Sequence, residues 1–333
     1  MAKVEPFSKS FPDPVVTANV YCHGHLDAVL LGAIKPFLQE VIEASKRDWR
    51  LWIMRYRRGG EHIKIRLHGD SSDAAAMKRE LETYLDETLS QILWQEAGGP
   101  AKLTGAHDPT IDMEDSTIAD YSPGTLIWTS YKRSHVTFGG EPYLGNDEYV
   151  ALFAACLSAG LRHFLSNAAM IDGAVLHAVR IVVVAELVEA ALRILELEDS
   201  CEYLSYHRDW LVRFVLLKTA HTPQEHQGVL AVFDKRLLHS ASFWEQAREQ
   251  ITGAIAQPAI TLREWQSAIL NLMEYVNELC RREQVQIDPF ALHSSHSALF
   301  KALHGVSNQA GFALLDEALV YHALRPQVPA LVG

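Results

Sequence analysis

The 333-residue chain lacks most of the features that would place it at once. Its four cysteines (Cys22, Cys156, Cys201, Cys280) are scattered and form no C-x-x-C pair. That spacing argues against a zinc site or a disulfide framework and fits reduced thiols in a cytosol. A basic excess is missing too: 41 acidic against 30 basic residues leave a formal charge of −11, the wrong sign for a generic nucleic-acid binder. No apolar run reaches the length of a membrane span, and the longest, around 178–187, is interrupted by Arg180 and Glu186. The opening MAKVEPFSKSFPDP has no apolar signal core, so residues 1–14 read as a short flexible arm. There is no internal repeat or low-complexity tract, and Gly59-Gly60 and Gly139-Gly140 lack a phosphate-loop pattern. The expectation is a cytoplasmic protein that binds neither membrane nor nucleic acid. With 48% hydrophobic residues it can bury a sizeable core.

Local patterns give an α+β chain. Val15–Tyr21 is β-branched and aromatic, hence a strand. His23-Gly24-His25 turns the chain into a helical pattern over 26–44, with Pro36 as a kink or early-turn residue. Two alternating runs, 50–57 (RLWIMRYR) and 61–68 (EHIKIRLH), flank Arg58-Gly59-Gly60 and predict a β-hairpin. Asp70-Ser71-Ser72 caps a helix to about Trp94, and the polar stretch 98–124 reads as a long functional loop. A strand is expected at 125–131. The spacing then predicts helices over 147–165, 173–197, 203–217, 223–238, 242–256, 261–282 and 292–321. Residues 15–330 are expected to form a single domain, an N-terminal antiparallel or mixed sheet with helices followed by a largely helical half.

Strand alternation puts His62, Lys64 and Arg66 on one face of the second hairpin strand. The first strand offers Arg55 and Arg57 on one face and Trp52, Met54 and Tyr56 on the other. Register decides which faces coincide, and the pattern leaves it open. Three polar cationic or imidazole groups in alternate positions make a cradle for carbonyls or a developing oxyanion, or simply a solvated sheet face.

The segment from Tyr21-Cys22-His23-Gly24-His25 through the hairpin resembles the opening of the lantibiotic-dehydratase C-terminal family. Trp52, Arg55, Tyr56, Gly60, His62, Arg66 and Leu67 fall on that family's first block. Phe138-Gly139-Gly140 is similar to the end of its second block, and His304-Gly305-Val306-Ser307-Asn308-Gln309 to its third. The resemblance spans nearly the whole chain and implies the fold of the family's elimination domain. Members that eliminate glutamate from glutamylated Ser or Thr carry two hairpin arginines, a Glu and an Arg before the paired glycines, and a late His. These positions fall on Lys64, Arg66, Ser134, Thr137 and His304 here. Loss of the Glu and its Arg partner should cost orders of magnitude in a β-elimination. Similarity to the family's stand-alone thiopeptide pyridine synthases implies another reaction. In it a formal [4+2] cycloaddition joins two dehydroalanines of a leader-bearing azole peptide, water is lost, and departure of the leader leaves a pyridine or piperidine. Such chemistry needs positioning and modest proton transfers and no cofactor.

The resemblance therefore implies a catalytic set of Arg66, Lys64, His62, His304, Ser134 and Thr137, with Arg55, Tyr56, Ser294, Ser295, Asn308 and Gln309 contacting substrate. The partners would be a ribosomal precursor peptide with its leader, and the azole-forming and dehydratase enzymes of the same pathway. His293 and His296 share a helical face, but no Cys or carboxylate joins them at ligand spacing, so no metal is expected. Tyr321 is read as a core ring or a site donor. Two other functions stay open: a split glutamate-elimination protein, and a non-catalytic leader-peptide binding module.

Overall fold

Alternation in the hairpin is what builds the sheet. The computed structural model describes residues 15–45, 48–56, 60–96, 124, 126–129, 147–168, 173–195, 200–282 and 295–325. Strands β1 (Val15–Tyr21), β2 (Arg50–Tyr56), β3 (His62–His68) and β4 (Leu126–Thr129) form one antiparallel sheet in the order β2-β3-β1-β4. The apolar set Val16, Ala18, Val20, Leu51, Ile53, Ile63, Ile65 and Leu67 lies on one face and is buried. Helix α1 (26–43) and helix α2 (Ala74–Glu96) pack against that face with Leu30, Ile34, Phe37, Met77, Leu81 and Leu85. Pro36 is absorbed inside α1, in a short α-segment between two π-helical stretches, Leu30–Ile34 and Leu38–Glu43. The wider π turns re-route the bonds that a proline interrupts. Asp70 caps the turn before α2, its carboxylate accepting from the Ser72 amide at 2.8 Å.

The remaining helices are α3 (Asp147–Asn167), α4 (Gly173–Ile194), α5 (Ser200–Thr219), α6 (Pro223–Ala256), α7 (Ile260–Arg282), α8 (Ser295–Ala310) and α9 (Leu314–Leu324). Two differences from the sequence expectation have physical causes. The expected pair 223–238 and 242–256 is one 34-residue helix. His239 and Ser240 do not break it, because both side chains hydrogen-bond backbone carbonyls within the helix. A capping box starts α6: Thr222 accepts from the Glu225 amide, and Glu225 accepts from the Thr222 amide. Conversely, the expected helix 292–321 is broken by Gly311, whose φ of 86° ends α8 and which donates to Asn308. Only glycine adopts that conformation without strain.

The chain divides into two compact units. The first holds the sheet, α1, α2, residues 147–158 of α3, 271–282 of α7 and 295–299 of α8. The second holds 159–167, α4, α5, α6, 260–270, 300–310 and α9. Contrary to the expectation from apolar runs, α3 is by length and composition long and apolar enough to cross a membrane. In it, 72% of the apolar window is buried inside the chain, as expected of a core helix.

In the second unit α3 approaches α8 closely at Gly160, where a Cβ would run into the Val306 side chain. Gly160→Ala should therefore destabilise by about 1–3 kcal/mol through overpacking, although alanine is the better helix former by about 1 kcal/mol. Urea denaturation checks this. Adding Val306→Ala should restore part of the loss, because the two sites share one contact.

Candidate functional site

The register settles which groups share the sheet's polar face. Arg66 stands between Trp52 on β2 and Thr17 on β1, Lys64 between Met54 and Asn19, and His62 between Tyr56 and Tyr21. The face is not solvated. Arg66 is 2% exposed, Lys64 3%, His62 5%, Thr17 3% and Asn19 8%. The Lys64 ammonium lies 4.4 Å from the centre of the Tyr56 ring, a cation–π contact. His62 stacks on Tyr56 at 5.4 Å and leans on Tyr21 at 4.7 Å, with Nδ1 2.9 Å from the Gly60 carbonyl oxygen. Among the described residues, the buried Thr17 hydroxyl and the Asn19 side-chain oxygen have no hydrogen-bond partner. Buried polar atoms are nearly always paired, so these two, across the strand pairing from Arg66 and Lys64, stand out on this face.

The two hairpin residues expected to contact substrate separate. Tyr56 lies on the polar face, whereas Arg55 points to the opposite one, 7% exposed. There its guanidinium bonds Asp27 of α1 at 2.7 Å, tying helix to sheet. At the edge, Arg50 donates to the Ala151 carbonyl of α3 at 2.9 Å. Burial and the Arg50 cation lower the His68 pKa.

In the second unit, His304 on α8 meets a buried carboxylate from α9. Its Nδ1 is 2.7 Å from Oε2 of Glu317, while the Tyr321 hydroxyl donates to Oε1 at 3.0 Å. Glu317 is 1% exposed. Burial would lower the His304 pKa, but the charge and hydrogen bond of Glu317 prevail and raise it. Burial and the same carboxylate push the Tyr203 and Tyr321 hydroxyls well above their usual range. His207 stacks on Phe300 at 4.3 Å, and Phe300 on His304 at 6.0 Å. A second buried histidine behaves differently. His163 has Nε2 3.1 Å from Glu186 and Nδ1 3.0 Å from Thr261, so both ring nitrogens are engaged in tying α3 to α4 and α7.

Of the other expected site residues, Ser134, Thr137 and Ser294 lie outside the described residues. Ser295 is the first residue of α8. Asn308 is partly buried near the end of α8, where its carbonyl accepts from Gly311, and Gln309 is 1% exposed. Thr17, Asn19 and Glu317 become candidates only through the structure. A signal for Glu317 was present: a carboxylate within the apolar run LLDEALVYHAL with a tyrosine four residues on. Among the described residues, no three His, Cys, Asp or Glu side chains converge as metal ligands would. Burial raises the Cys22 thiol to about 12 and Cys156 higher still, which removes both from nucleophilic chemistry near neutral pH.

A family model described as lantibiotic biosynthesis dehydratase C-term matches residues 16–328. Among solved structures, the chain is similar to the pyridine synthase TbtD from thiomuracin biosynthesis, at a TM-score of 0.56 and 13% identity, covering 93% of this chain and 96% of that one. It is also similar to TsrL, at a TM-score of 0.53 and 14% identity over 93% of each chain. These likenesses are of fold. A search of curated proteins returns no match.

Proposed function

Because the chain belongs to the lantibiotic dehydratase C-terminal family, we propose that it modifies a ribosomal precursor peptide, closing a macrocycle through a central pyridine or piperidine. Two dehydroalanines of one leader-bearing azole peptide are brought together, and a formal [4+2] cycloaddition forms the six-membered ring. Water is then lost, and departure of the leader aromatises the pyridine. Residues 15–330 act as one catalytic domain, a reading supported by the near-complete span of the family match.

The observation that carries this reading is the pattern of charge kept and lost at the family's functional positions. Lys64 and Arg66 remain cationic and share one buried sheet face, whereas Ser134 and Thr137 replace the Glu and Arg that elimination needs. Cations in a buried setting can hold a peptide carbonyl and the charge that develops on it. The Thr17 hydroxyl and the Asn19 oxygen beside them suit the donor groups of a peptide amide. His304 passes protons. The enzyme's main task is then to hold two ends of one chain in reacting geometry, which needs no cofactor.

The discriminating experiment offers the protein two peptides. A dehydrated, azole-bearing precursor should give a product lighter by water and the leader. A glutamylated precursor should show no new dehydroalanine by mass spectrometry, because the acid/base pair of elimination is missing. Efficient dehydration of the second peptide, with the first unchanged, would replace this reading with glutamate elimination.

A further inference from the structure

We propose that Glu317 is a positioning residue that fixes His304 in its Nδ1–H form, so that the imidazole delivers a proton through Nε2 to the hydroxyl lost as water. The acid role rests on the cyclase reading above; the positioning role does not.

The geometry carries the argument. Glu317 sits among the buried Ala318, Leu319 and Val320, where an ionised carboxylate persists only if it is hydrogen-bonded. A carboxylate is an acceptor only. At 2.7 Å from Nδ1 it therefore requires the proton to lie on that nitrogen. With Nδ1 committed, any exchange between the ring and a substrate runs through Nε2. The Tyr321 hydroxyl, bonded to the other carboxylate oxygen, stops Glu317 from rotating away. Phe300 stacks on the imidazole and fixes its plane.

Among the described residues, Glu317 from α9 is the titratable group bonded to the ring, and Tyr321 from α9 and Tyr203 and His207 from α5 act on it through Glu317 or across Phe300. The Glu317 carboxylate outweighs burial and raises the His304 pKa. More of the ring is then imidazolium at neutral pH, the form an acid needs. In the step proposed, the Nε2 proton passes to the hydroxyl oxygen of the cycloadduct, the carbon–oxygen bond breaks and water leaves. A neighbouring ring atom gives up a proton to solvent as the new double bond forms, and the imidazole regains one from solvent. No oxidant or reductant is involved.

The test compares wild type, Glu317→Gln and Tyr321→Phe, each checked for melting. Nitrogen-15 NMR reads the tautomer and titration of His304, and the pH–rate profile of ring closure on an azole-bearing dehydrated peptide reads the acid. Expected in wild type are an Nδ1–H neutral ring, a titration above that of an ordinary histidine, and a rate that falls as pH rises through it. Glu317→Gln should move both the titration and that alkaline limb to lower pH, with about tenfold or greater loss of rate near neutrality. Tyr321→Phe keeps the Glu317–His304 bond and should move both far less. An Nε2–H ring in wild type, or an unmoved His304 titration in Glu317→Gln, overturns the positioning role. A moved titration with an unmoved rate profile overturns the acid role. A wild type that closes no ring overturns the cyclase reading and the acid role with it, while the NMR arm still decides the positioning.

Discussion

Arg66→Ala should slow ring closure roughly 30- to 150-fold and also weaken the fold. The kinetic loss corresponds to about 2–3 kcal/mol for removing a charge-assisted donor from the group it stabilises. The stability loss follows because the residue is not on a solvated strand face, where the fold would barely register its truncation. Arg66 is 2% exposed and wedged between Trp52 and Thr17, so truncation leaves a void, worth about 2–4 kcal/mol on the scale of other large core residues. Two further variants separate the effects. Arg66→Met fills much of the same volume without charge, and replacing buried ionic groups by apolar ones of similar size is often neutral for stability. It should melt near wild type yet stay as slow as Arg66→Ala. Arg66→Lys restores the charge without the planar fork and should recover only part of the rate. Wild-type turnover in a well-folded Arg66→Met would show that the buried cation serves packing alone.

Trp265→Ala should be the most damaging single truncation in the second unit. Trp265 is 0% exposed, and its indole N–H donates to the Leu187 carbonyl of α4 at 2.9 Å. Removing it loses the buried ring, adds a cavity and breaks that bond, together about 3–5 kcal/mol. Because natural domains are stable by only about 5–15 kcal/mol, the variant should unfold at a much lower urea concentration. Trp265→Phe keeps most of the ring but loses the donor, at about 1 kcal/mol for the hydrogen bond plus a smaller packing loss. A denaturation midpoint for Trp265→Ala equal to wild type would show that α7 is not anchored on α4 through this residue.

Much of the local structure could be read directly. Val15–Tyr21 needed only its β-branched and aromatic content, and the hairpin only its alternation around Gly59-Gly60. The observed strands match those readings to within a residue or two. The structure departs from the local pattern where local signals are ambiguous. His239 and Ser240 looked like a break but satisfy the helix backbone. Gly311 lies inside an otherwise helical pattern, yet its positive φ stops the helix.

By itself, the sequence determined which residues alternate, which cap helices, and that His62, Lys64 and Arg66 lie on one side of a strand. It also carried the motifs of its family, because motifs are local in the chain. Only the tertiary structure decided that this side faces Trp52, Thr17 and Asn19 rather than Arg55, and that it is buried rather than wet. A period of two sorts side chains within a strand but does not fix the register between strands, which long-range packing sets. In the same way, His304 and Glu317 lie thirteen positions apart, beyond the three- and four-residue reach within one helix. They meet because Gly311 turns the chain between α8 and α9, bringing a buried carboxylate to the imidazole it orients.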